Sequence, residues 1–412
     1  MSFLAQYDAI PPAYASERVG LAAKWIRSAP RAFFAELRER RPVFRTPAFT
    51  LVTRYRDVLE VLQRPTQFSV RIYGSKMDEV VGPSMLGRDN ATENYRDKSV
   101  MRVATPLSDL PRVRAVVAEL TDQQMPCGAE RFDIVKALTR HVPVKLCGAY
   151  FGFPGPDIDT MIRWSKATQT DFFKNIGNDP AIHAAAVAAG SEMKAYLADL
   201  LTSPIDGTRG CTVVSRLRQL AAAQLLPLDQ SELISNVAGL LIGTVETTSQ
   251  AVAQAVQQIL LRPKLREDAI REAAASDPAR FDQMVWEALR FDPINPLLPR
   301  FTESDTIIGA NTEYETVLAR GTIVFACTAS AMWDEAAVEN ADEFRLDRPD
   351  FTYLHFGVGS HDCLGRHVGA VMVPEMVRRI MLRKPRLVEG DAGKIDFLGG
   401  PFPESFQIDL TA

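Results

Sequence analysis

Residues 356–365 read Phe356-Gly-Val-Gly-Ser-His-Asp-Cys363-Leu-Gly365, a short stretch in which three glycines surround one cysteine. Glycine accepts positive φ angles and close backbone approach, so we expect both at Gly357, Gly359 and Gly365. A run of helical composition, residues 366–373, follows directly. A cysteine just before a helix N-terminus meets unpaired N–H groups and the positive end of the helix dipole, and both favour the thiolate over the thiol.

A lone cysteine is most often a small buried hydrophobe, and glycine-rich turns before helices also serve as phosphate-binding loops. This stretch lacks the Lys-Ser/Thr pair of a P-loop and the strand–turn–helix context of a dinucleotide fingerprint. A thiolate on a rigid loop that is poor in side chains suits an axial bond to the iron of a haem. Because the pattern F-G-x-G-x-H-x-C-x-G fixes six positions, chance is a poor explanation for it.

Composition places the chain among ordinary globular proteins. It has 412 residues, 46% of them hydrophobic and 24% charged, and a formal net charge of −4. Nucleic-acid binders usually carry a strong basic excess, so we expect no nucleic-acid partner. No linker, repeat or low-complexity tract marks a boundary, and we predict a single domain over residues 1–412.

The cysteines and the hydropathy pattern bear on the compartment. Five scattered cysteines without a C-x-x-C pair argue against a disulfide framework or structural zinc, and favour a reducing compartment. The sequence shows no signal peptide and no apolar run long enough to cross a bilayer. We therefore expect a cytoplasmic protein without a membrane anchor.

Hydrophobic periodicity predicts a mainly α protein with small β-sheets early and late in the chain. Residues 66–94 show little periodicity and are predicted to be irregular, which is often a mark of function. The predicted helices cover residues 30–41, 57–63, 95–124, 130–150, 156–175, 180–202, 230–261 and 282–291. The predicted strands lie around residues 44, 49–52, 306–308 and 322–326.

The helix that begins near residue 230 has the clearest signals. Asp229 and Glu232 form a capping-box pattern, and Pro263 ends the helix. Its middle contains weak helix formers in the stretch 243–248, and a threonine there can bond the carbonyl four residues back, as Thr247 would with Gly243. This weakness indicates either a functional distortion or close packing of another helix against small residues.

A third pattern completes the set. Glu287 and Arg290 are spaced i,i+3 in a helical stretch, which places them on one helix face. Together with Gly243-Thr-Val-Glu-Thr-Thr248 and the cysteine loop, this E-x-x-R pair resembles the motif set of the cytochrome P450 family, in order and in bacterial-type spacing. The resemblance covers nearly the whole chain. It implies the mainly α, triangular-prism fold of that family, with haem between the long central helix and the cysteine loop.

The resemblance also implies residue roles. Cys363 would be the axial ligand of haem b (iron protoporphyrin IX), with Thr247 as the alcohol and Glu246 as the acid of proton delivery. The other haem contacts implied are Phe356 and Gly357 beside the sulfur, the backbone near Gly365, and the propionate partners His361, Arg300, and Lys98 or Arg102. Glu287, Arg290 and Arg348 would form a buried structural network.

The chain departs from the family pattern at several positions. Thr244 stands where glycine is usual, Asn94 stands where histidine is common, and Pro374 falls inside the helix after the cysteine. We expect the substrate pocket to be lined by residues 70–94 and Phe172-Phe173. Further pocket candidates are Leu240, Gly243, Thr244, Leu297 and Leu298.

The resemblance implies an oxidoreductase, a monooxygenase that inserts one atom of O₂ into a small, mostly apolar molecule in secondary metabolism or catabolism. Two alternatives remain open: oxidative cyclisation, coupling or peroxide-driven oxidation of a natural product, and a non-catalytic haem sensor or binding protein. The sequence contains no flavin or iron–sulfur segment, so electrons would come from a ferredoxin or flavodoxin and its reductase. Candidates for an electropositive docking surface are Arg96, Arg102, Arg112 and Arg366.

Overall fold

The structure, a computed structural model, describes residues 2–89, 91–203 and 211–411. Contacts between residues divide the chain into two compact units. The first contains residues 2–72 and 295–363, and the second contains residues 73–294 and 364–411. A single domain over residues 1–412 stays a prediction.

Helices make up most of the second unit and of the chain as a whole, as the periodicity predicts. In chain order they are α1 (Phe3–Asp8), α2 (Ala15–Ser28), α3 (Pro30–Arg40), α4 (Tyr55–Gln63), α5 (Arg71–Val80), α6 (Ala91–Ala104), α7 (Leu110–Gln124), α8 (His141–Leu146), α9 (Ile158–Phe173), α10 (Pro180–Thr202), α11 (Val213–Ala222), α12 (Gln230–Leu260), α13 (Pro263–Ala273), α14 (Ala279–Phe291), α15 (Thr328–Met332) and α16 (Arg366–Leu382). Two π-helical turns, Val135–Thr139 and Cys147–Phe151, flank α8.

The strands are short. They are β1 (Val43–Arg45), β2 (Thr50–Val52), β3 (Phe68–Ser69), β4 (Arg131–Asp133), β5 (Leu298–Thr302), β6 (Thr306–Ile308), β7 (Thr316–Leu318), β8 (Ile323–Ala326), β9 (Arg386–Leu387) and β10 (Gln407–Asp409).

The first unit is built on a five-stranded sheet with strand order β1-β2-β8-β5-β3. Only the β2–β8 pair is parallel, and Arg300 on β5 lies opposite Val324 on β8. The apolar face of α3, formed by Phe33, Phe34 and Leu37, is fully buried against this sheet's aromatic side chains. This packing fixes α3 on the sheet through Phe44 of β1 and Phe325 of β8.

The second unit is organised around α12, which contacts α9, α10, α14 and α16. Asp229 and Glu232 form the predicted capping box at its N-terminus, with N–H···O distances of 2.8 and 3.0 Å. The helix ends at Leu260, one residue before the predicted end, and Pro263 starts α13. A three-stranded sheet, β4-β10-β9, completes the unit.

The sequence prediction is confirmed for α3, α4, α9, α10, β1, β2, β6 and β8, but it is wrong for residues 71–80. These residues form α5, whose face of Tyr73, Met77 and Val80 is buried. Gly74 lies within that face because a Cβ there would be only 3.0 Å from the Gly87 carbonyl oxygen. Since glycine and polar residues dilute the apolar pattern, periodicity alone misses the helix.

Two predicted helices are also divided. The stretch 95–124 contains α6 and α7, separated at Pro106, because proline disfavours a helical conformation in the residue before it. The stretch 130–150 begins with β4 and continues as π-helical and α-helical turns. Across the described ranges, no helix combines the length and apolar content that spanning a bilayer requires.

Candidate active site

The cysteine loop is a closed turn in the first unit. The Cys363 amide donates to the Phe356 carbonyl oxygen at 2.8 Å, and the Asp362 amide donates to the Gly359 carbonyl oxygen at 3.1 Å. The Cys363 residue is exposed. A thiol held at the end of such a turn, with its backbone fixed by hydrogen bonds, can form a bond of defined direction.

Two of the three glycines in this loop have the predicted positive φ. Gly357 has φ of +64° and Gly359 has φ of +83°. A Cβ on Gly359 would also lie 2.7 Å from the Leu62 carbonyl oxygen, so this position requires glycine for two reasons. At Gly365 the prediction is wrong: φ is −76°, because this residue already continues into the first turn of α16 as its N-cap.

The other cysteines have different surroundings. Cys147 and Cys327 are fully buried, and burial raises the pKa of both thiols because it disfavours the charged form. Cys127 and Cys211 are exposed, as Cys363 is, but neither stands in the F-G-x-G-x-H-x-C-x-G pattern. The loop geometry therefore singles out Cys363 as the candidate metal ligand.

The weak helix formers of α12 do not interrupt it, because residues 230–260 are α-helical throughout. The Thr247 hydroxyl donates to the Gly243 carbonyl oxygen, as predicted. A Cβ built on Gly243 would meet no described heavy atom within 4 Å. Close packing against a small residue therefore does not explain Gly243, although Thr244 and Thr247 are each half-buried.

Glu246, the predicted acid, is fully buried in an ion pair with Arg140. The Arg140 guanidinium donates from Nε to both carboxylate oxygens, at 2.9 and 3.0 Å, and from Nη2 at 2.9 Å. Arg140 also donates to Glu404, at 3.1 and 3.2 Å, and to the Pro403 carbonyl oxygen. Lys166 on α9 donates to Glu404 at 2.6 Å.

This network is a feature that sequence reasoning missed. Burial raises the pKa of the Glu246 carboxyl above its usual range, and the hydrogen bonds and charge of Arg140 oppose that shift. Arg140 is 106 residues away in the chain, and no local pattern connects the two positions. The predicted acid is therefore held by a guanidinium rather than left open to solvent.

The predicted propionate partners differ in burial. Arg300 on β5 is only 4% exposed and donates to the Pro299 carbonyl oxygen at 2.9 Å. Lys98 on α6 is equally buried, Arg102 is exposed, and His361 is half-buried. Arg300 and Lys98 are therefore buried cations, and their role as propionate partners stays a prediction.

Asn94, at the position where the family commonly has histidine, has a structural contact. Its side-chain Nδ2 donates to the Met85 carbonyl oxygen at 2.9 Å, and the residue is 2% exposed. Asn94 therefore fastens the turn after α5 to α6.

Glu287 and Arg290 form a fully buried ion pair within α14, with N–O distances of 2.8 and 2.9 Å. Arg348, in the first unit, donates to three backbone carbonyl oxygens, those of Glu339, Asn340 and Glu343. Arg348 thus braces the segment that precedes the cysteine loop. That Arg348 is also the third partner of the Glu287–Arg290 pair stays a prediction.

Comparisons with known proteins agree with the resemblance that the sequence motifs indicate. The family described as Cytochrome P450 matches residues 213–383. The chain is 28% identical to the mycinamicin IV hydroxylase/epoxidase of Micromonospora griseorubida over 372 residues, which cover 85% of this chain and 87% of that protein. It is 26% identical to the steroid C26-monooxygenase of Mycobacterium tuberculosis over 371 residues, 88% of each protein.

These comparisons support a bacterial-type cytochrome P450. Solved structures agree on the fold: the structure of CalO2 aligns with a TM-score of 0.80 at 23% identity, covering 94% of this chain and 97% of that one. A cytochrome P450 from Chondromyces apiculatus aligns with a TM-score of 0.76 over the same shares, also at 23% identity. The predicted fold class, mainly α with small sheets, is confirmed, and the protein is an oxidoreductase of the monooxygenase type.

Haem is the cofactor of this cytochrome P450 family, and the residues of the first unit fit it. Cys363 offers a soft sulfur ligand on a loop where Gly357 and Gly359 carry no side chains. Arg300, nearly buried on β5 of the same unit, offers a cation for a carboxylate.

The predicted docking arginines differ in their ion pairs. Arg96 pairs with Asp97 at 2.8 Å and with Glu232 at 2.6 Å, so its charge is compensated within the second unit. Arg112 lies 3.3 Å from a carboxylate oxygen of Asp109. Arg102 is exposed and Arg366 is half-buried, and contact of these arginines with an acidic partner stays a prediction.

Some of the predicted pocket residues also pack against the hydrophobic core. Leu297 and Leu298 are half-buried, and each packs against an apolar cluster of the first unit. Leu298 also lies beside the cysteine loop, because its Cδ1 would be 3.9 Å from a Cβ on Gly357. Leu240 on α12 is 8% exposed, and Gly243 is exposed.

Proposed function

We propose that this cytochrome P450 is a haem-thiolate monooxygenase that hydroxylates a small, mostly apolar organic molecule, with Cys363 as the axial ligand of haem b. The observation that carries this proposal is the closed turn that presents the exposed Cys363. When bound, haem supplies the redox chemistry of O₂, and a thiolate ligand increases its electron density to favour cleavage of the O–O bond. The protein provides the position of the ligand, the pocket and the protons.

The cysteine loop keeps the sulfur in one position. Its hydrogen bonds and its two positive-φ glycines limit backbone motion, and the adjacent N-terminus of α16 favours the thiolate over the thiol. Arg300 and Lys98 would hold the propionates as buried cations, with His361 and Arg102 nearer to solvent.

Proton delivery is assigned to Thr247 and Glu246. The Thr247 hydroxyl already donates its hydrogen to the Gly243 carbonyl oxygen, so its oxygen is able to accept a hydrogen bond from a third group. Glu246 can exchange protons with solvent only after it loosens its contact with Arg140. Arg140 thereby controls how readily the acid is protonated.

The substrate class is supported by the names of the relatives, which act on mycinamicin IV and on steroids. A bulky, mostly apolar natural product fits the apolar character of Leu240, Phe172 and Tyr73, which are buried in the second unit. Electrons would come from a ferredoxin or flavodoxin and its reductase. A Soret-shift screen of the ferric protein against macrocyclic, steroid, fatty-acid and peptide-like compounds will identify the class.

Carbon monoxide binding to the reduced protein tests the ligand assignment. We expect the wild-type protein and the matched control Cys211→Ser, which changes another exposed cysteine, to show the red-shifted Soret band of thiolate ligation. Cys363→Ser should lose this band, because a hydroxyl is a much poorer ligand for haem iron than a thiolate. A thiolate band that survives in Cys363→Ser would contradict the proposal.

A further inference from the structure

Three helices of the second unit meet at His183. His183 lies on α10, and its Nδ1 is 2.7 Å from Oδ2 of Asp171 on α9. Its Nε2 is 3.1 Å from Oε2 of Glu79 on α5. The Asp171 side chain is fully buried, whereas that of Glu79 is 63% exposed. One imidazole ring therefore bridges a buried and an exposed carboxylate that lie on different helices.

Only the protonated ring can make both contacts as hydrogen bonds. A neutral imidazole carries one N–H, and the other nitrogen presents a lone pair, whereas the imidazolium donates from both nitrogens. The buried Asp171 has few other donors, chiefly Asn175 Nδ2 at 2.9 Å, so it retains the Nδ1 proton. Loss of the second proton would leave the Nε2 lone pair facing the Glu79 carboxylate. Deprotonation therefore breaks the link to α5 and spares the link to α9.

The charged groups around the ring favour its protonation. Hydrogen bonds to Asp171 and then to Glu79 raise the pKa of His183 above its ordinary value. Lys76 on α5 is the nearby cation: its Nζ donates to the Asn175 carbonyl oxygen at 2.5 Å and lies 3.7 Å from Oδ1 of Asp171. Burial lowers the pKa of Lys76, although the charge of Asp171 opposes this.

Other charged groups on these helices have different contacts. Asp78, next to Glu79, pairs with Arg88 at 3.0 Å. Asp179 caps the N-terminus of α10 through the Ala181 amide, and Lys174 stands over the Phe402 ring at 5.9 Å. Among the described residues, the titratable groups that contact the His183 ring are thus the carboxylates of Asp171 and Glu79. Lys76 lies on the other side of Asp171.

The helix that His183 holds is the one that sequence periodicity missed. Along α5, Tyr73 contacts the Phe173 ring at a centroid distance of 5.2 Å. At its other end, a Cβ on Gly190 of α10 would lie 2.3 Å from the Val80 carbonyl oxygen, so the two helices touch closely there. Residues 70–94 and Phe172-Phe173 are the segments that we expect to line the substrate pocket. The contacts of α5 therefore join two predicted walls of that pocket.

We propose that His183 is a pH-dependent latch that fastens α5 to α9 and α10 when protonated and frees the Glu79 end of α5 when neutral. The consequence for substrate entry, faster access at higher pH, rests on the proposed function. The sign follows from the direction of the pKa shift. The bridge contributes fully below the ordinary imidazole pKa of about 6.5 and is lost as the pH rises through the raised pKa of His183.

Hydrogen–deuterium exchange of the full-length haem protein tests the latch itself. Relative to the wild type at about pH 6, exchange of residues 71–80 should be about two- to fivefold faster in His183→Gln, and this difference should shrink at about pH 8.5. Glu79→Gln should also remove the pH dependence, since a carboxamide can donate to neutral Nε2. The matched control is Glu192→Gln, which removes a carboxylate of α10 paired with Arg163 and should leave α5 unchanged.

Exchange that is equal in the wild type and His183→Gln at both pH values would overturn the latch. Hydrogen–deuterium exchange is measured without turnover, so a failure of the proposed function would not by itself make the two exchange rates equal. The link to the pocket is tested with metyrapone, whose binding to the ferric haem is followed by stopped flow at the Soret band. Its association rate should rise with pH in the wild type and be pH-independent in His183→Gln; a pH-dependent rate in the variant would overturn the gating of access.

Discussion

At the scale of single residues, Gly359 shows most directly that the cysteine loop depends on the absence of a side chain. Its φ of +83° is unfavourable for other residues, and the Leu62 carbonyl oxygen occupies the space that a Cβ would need. The loop is therefore held against α4 by a backbone-to-backbone approach that a larger residue would prevent. Gly357 has a positive φ but no such close neighbour.

We predict that Gly359→Ala will be more destabilising than Gly321→Ala in the same unit. Gly321 has a similar φ of +90°, but a Cβ there would meet only the Phe301 ring at 4.0 Å, so its cost of about 1–2 kcal/mol is conformational alone. At Gly359 the clash adds a further cost of about 1–3 kcal/mol. Chemical denaturation of both variants measures the difference, and equal losses would show that the approach to Leu62 is unimportant.

The cysteines and the histidines show that residues of one type have different environments within one chain. Burial raises the pKa of the Cys147 and Cys327 thiols, whereas Cys363 is exposed at the end of a hydrogen-bonded turn. His183 has two carboxylate partners, while His367 is exposed. Environment rather than residue type therefore determines the chemistry.

At the scale of elements, α12 is held at its N-terminus and near its middle. The capping box fixes its N-terminus, and Arg140, which follows the π-helical turn Val135–Thr139, holds Glu246 near its centre. Through Glu404 and Lys166 the same network reaches the C-terminal segment and α9. The ion pair therefore connects four segments of the second unit.

We predict that Arg140→Ala will lower the free energy of unfolding by about 3–5 kcal/mol, because it leaves a buried carboxylate without its partner. Arg163→Ala, which breaks the exposed pair with Glu192, should cost at most about 1 kcal/mol. Burial holds the pKa of Glu246 above its usual range. The deficit of Arg140→Ala should therefore shrink as the pH falls and Glu246 takes up a proton.

Denaturation at several pH values measures these effects. A deficit in Arg140→Ala that is as small as in Arg163→Ala would show that the Arg140–Glu246 pair is not important for stability. A deficit that grows on acidification would contradict the direction of the pKa shift.

At the scale of the whole molecule, the distribution of charge determines where a redox partner is attracted. The chain has a net charge of −4, so attraction of an acidic ferredoxin must come from local arginines rather than from the overall balance. Arg96 and Arg112 already face carboxylates, and reversing them would break ion pairs of the second unit. Arg102 is exposed on α6, and its reversal tests the predicted docking surface.

We predict that Arg102→Glu will slow electron transfer from a ferredoxin by about two- to tenfold at low salt and will weaken its dependence on ionic strength. The matched control is Arg40→Glu, a reversal of another exposed arginine, in the first unit. Stopped-flow reduction at several salt concentrations measures both effects. Equal rates and equal salt dependence in wild type and Arg102→Glu would exclude Arg102 from the docking surface.

The amino-acid sequence was sufficient to predict the strongly periodic helices, the capping box of α12, the bond from Thr247 to Gly243 and the positive φ angles of Gly357 and Gly359. These features depend on neighbours within a few residues, and short-range hydrogen bonding and φ preferences are legible in local patterns. Only the tertiary structure revealed α5, the Arg140–Glu246–Glu404 network and the bridge of His183 to Asp171 and Glu79. Ion pairs and burial depend on distance in space, and groups about a hundred residues apart leave no local signal of their meeting.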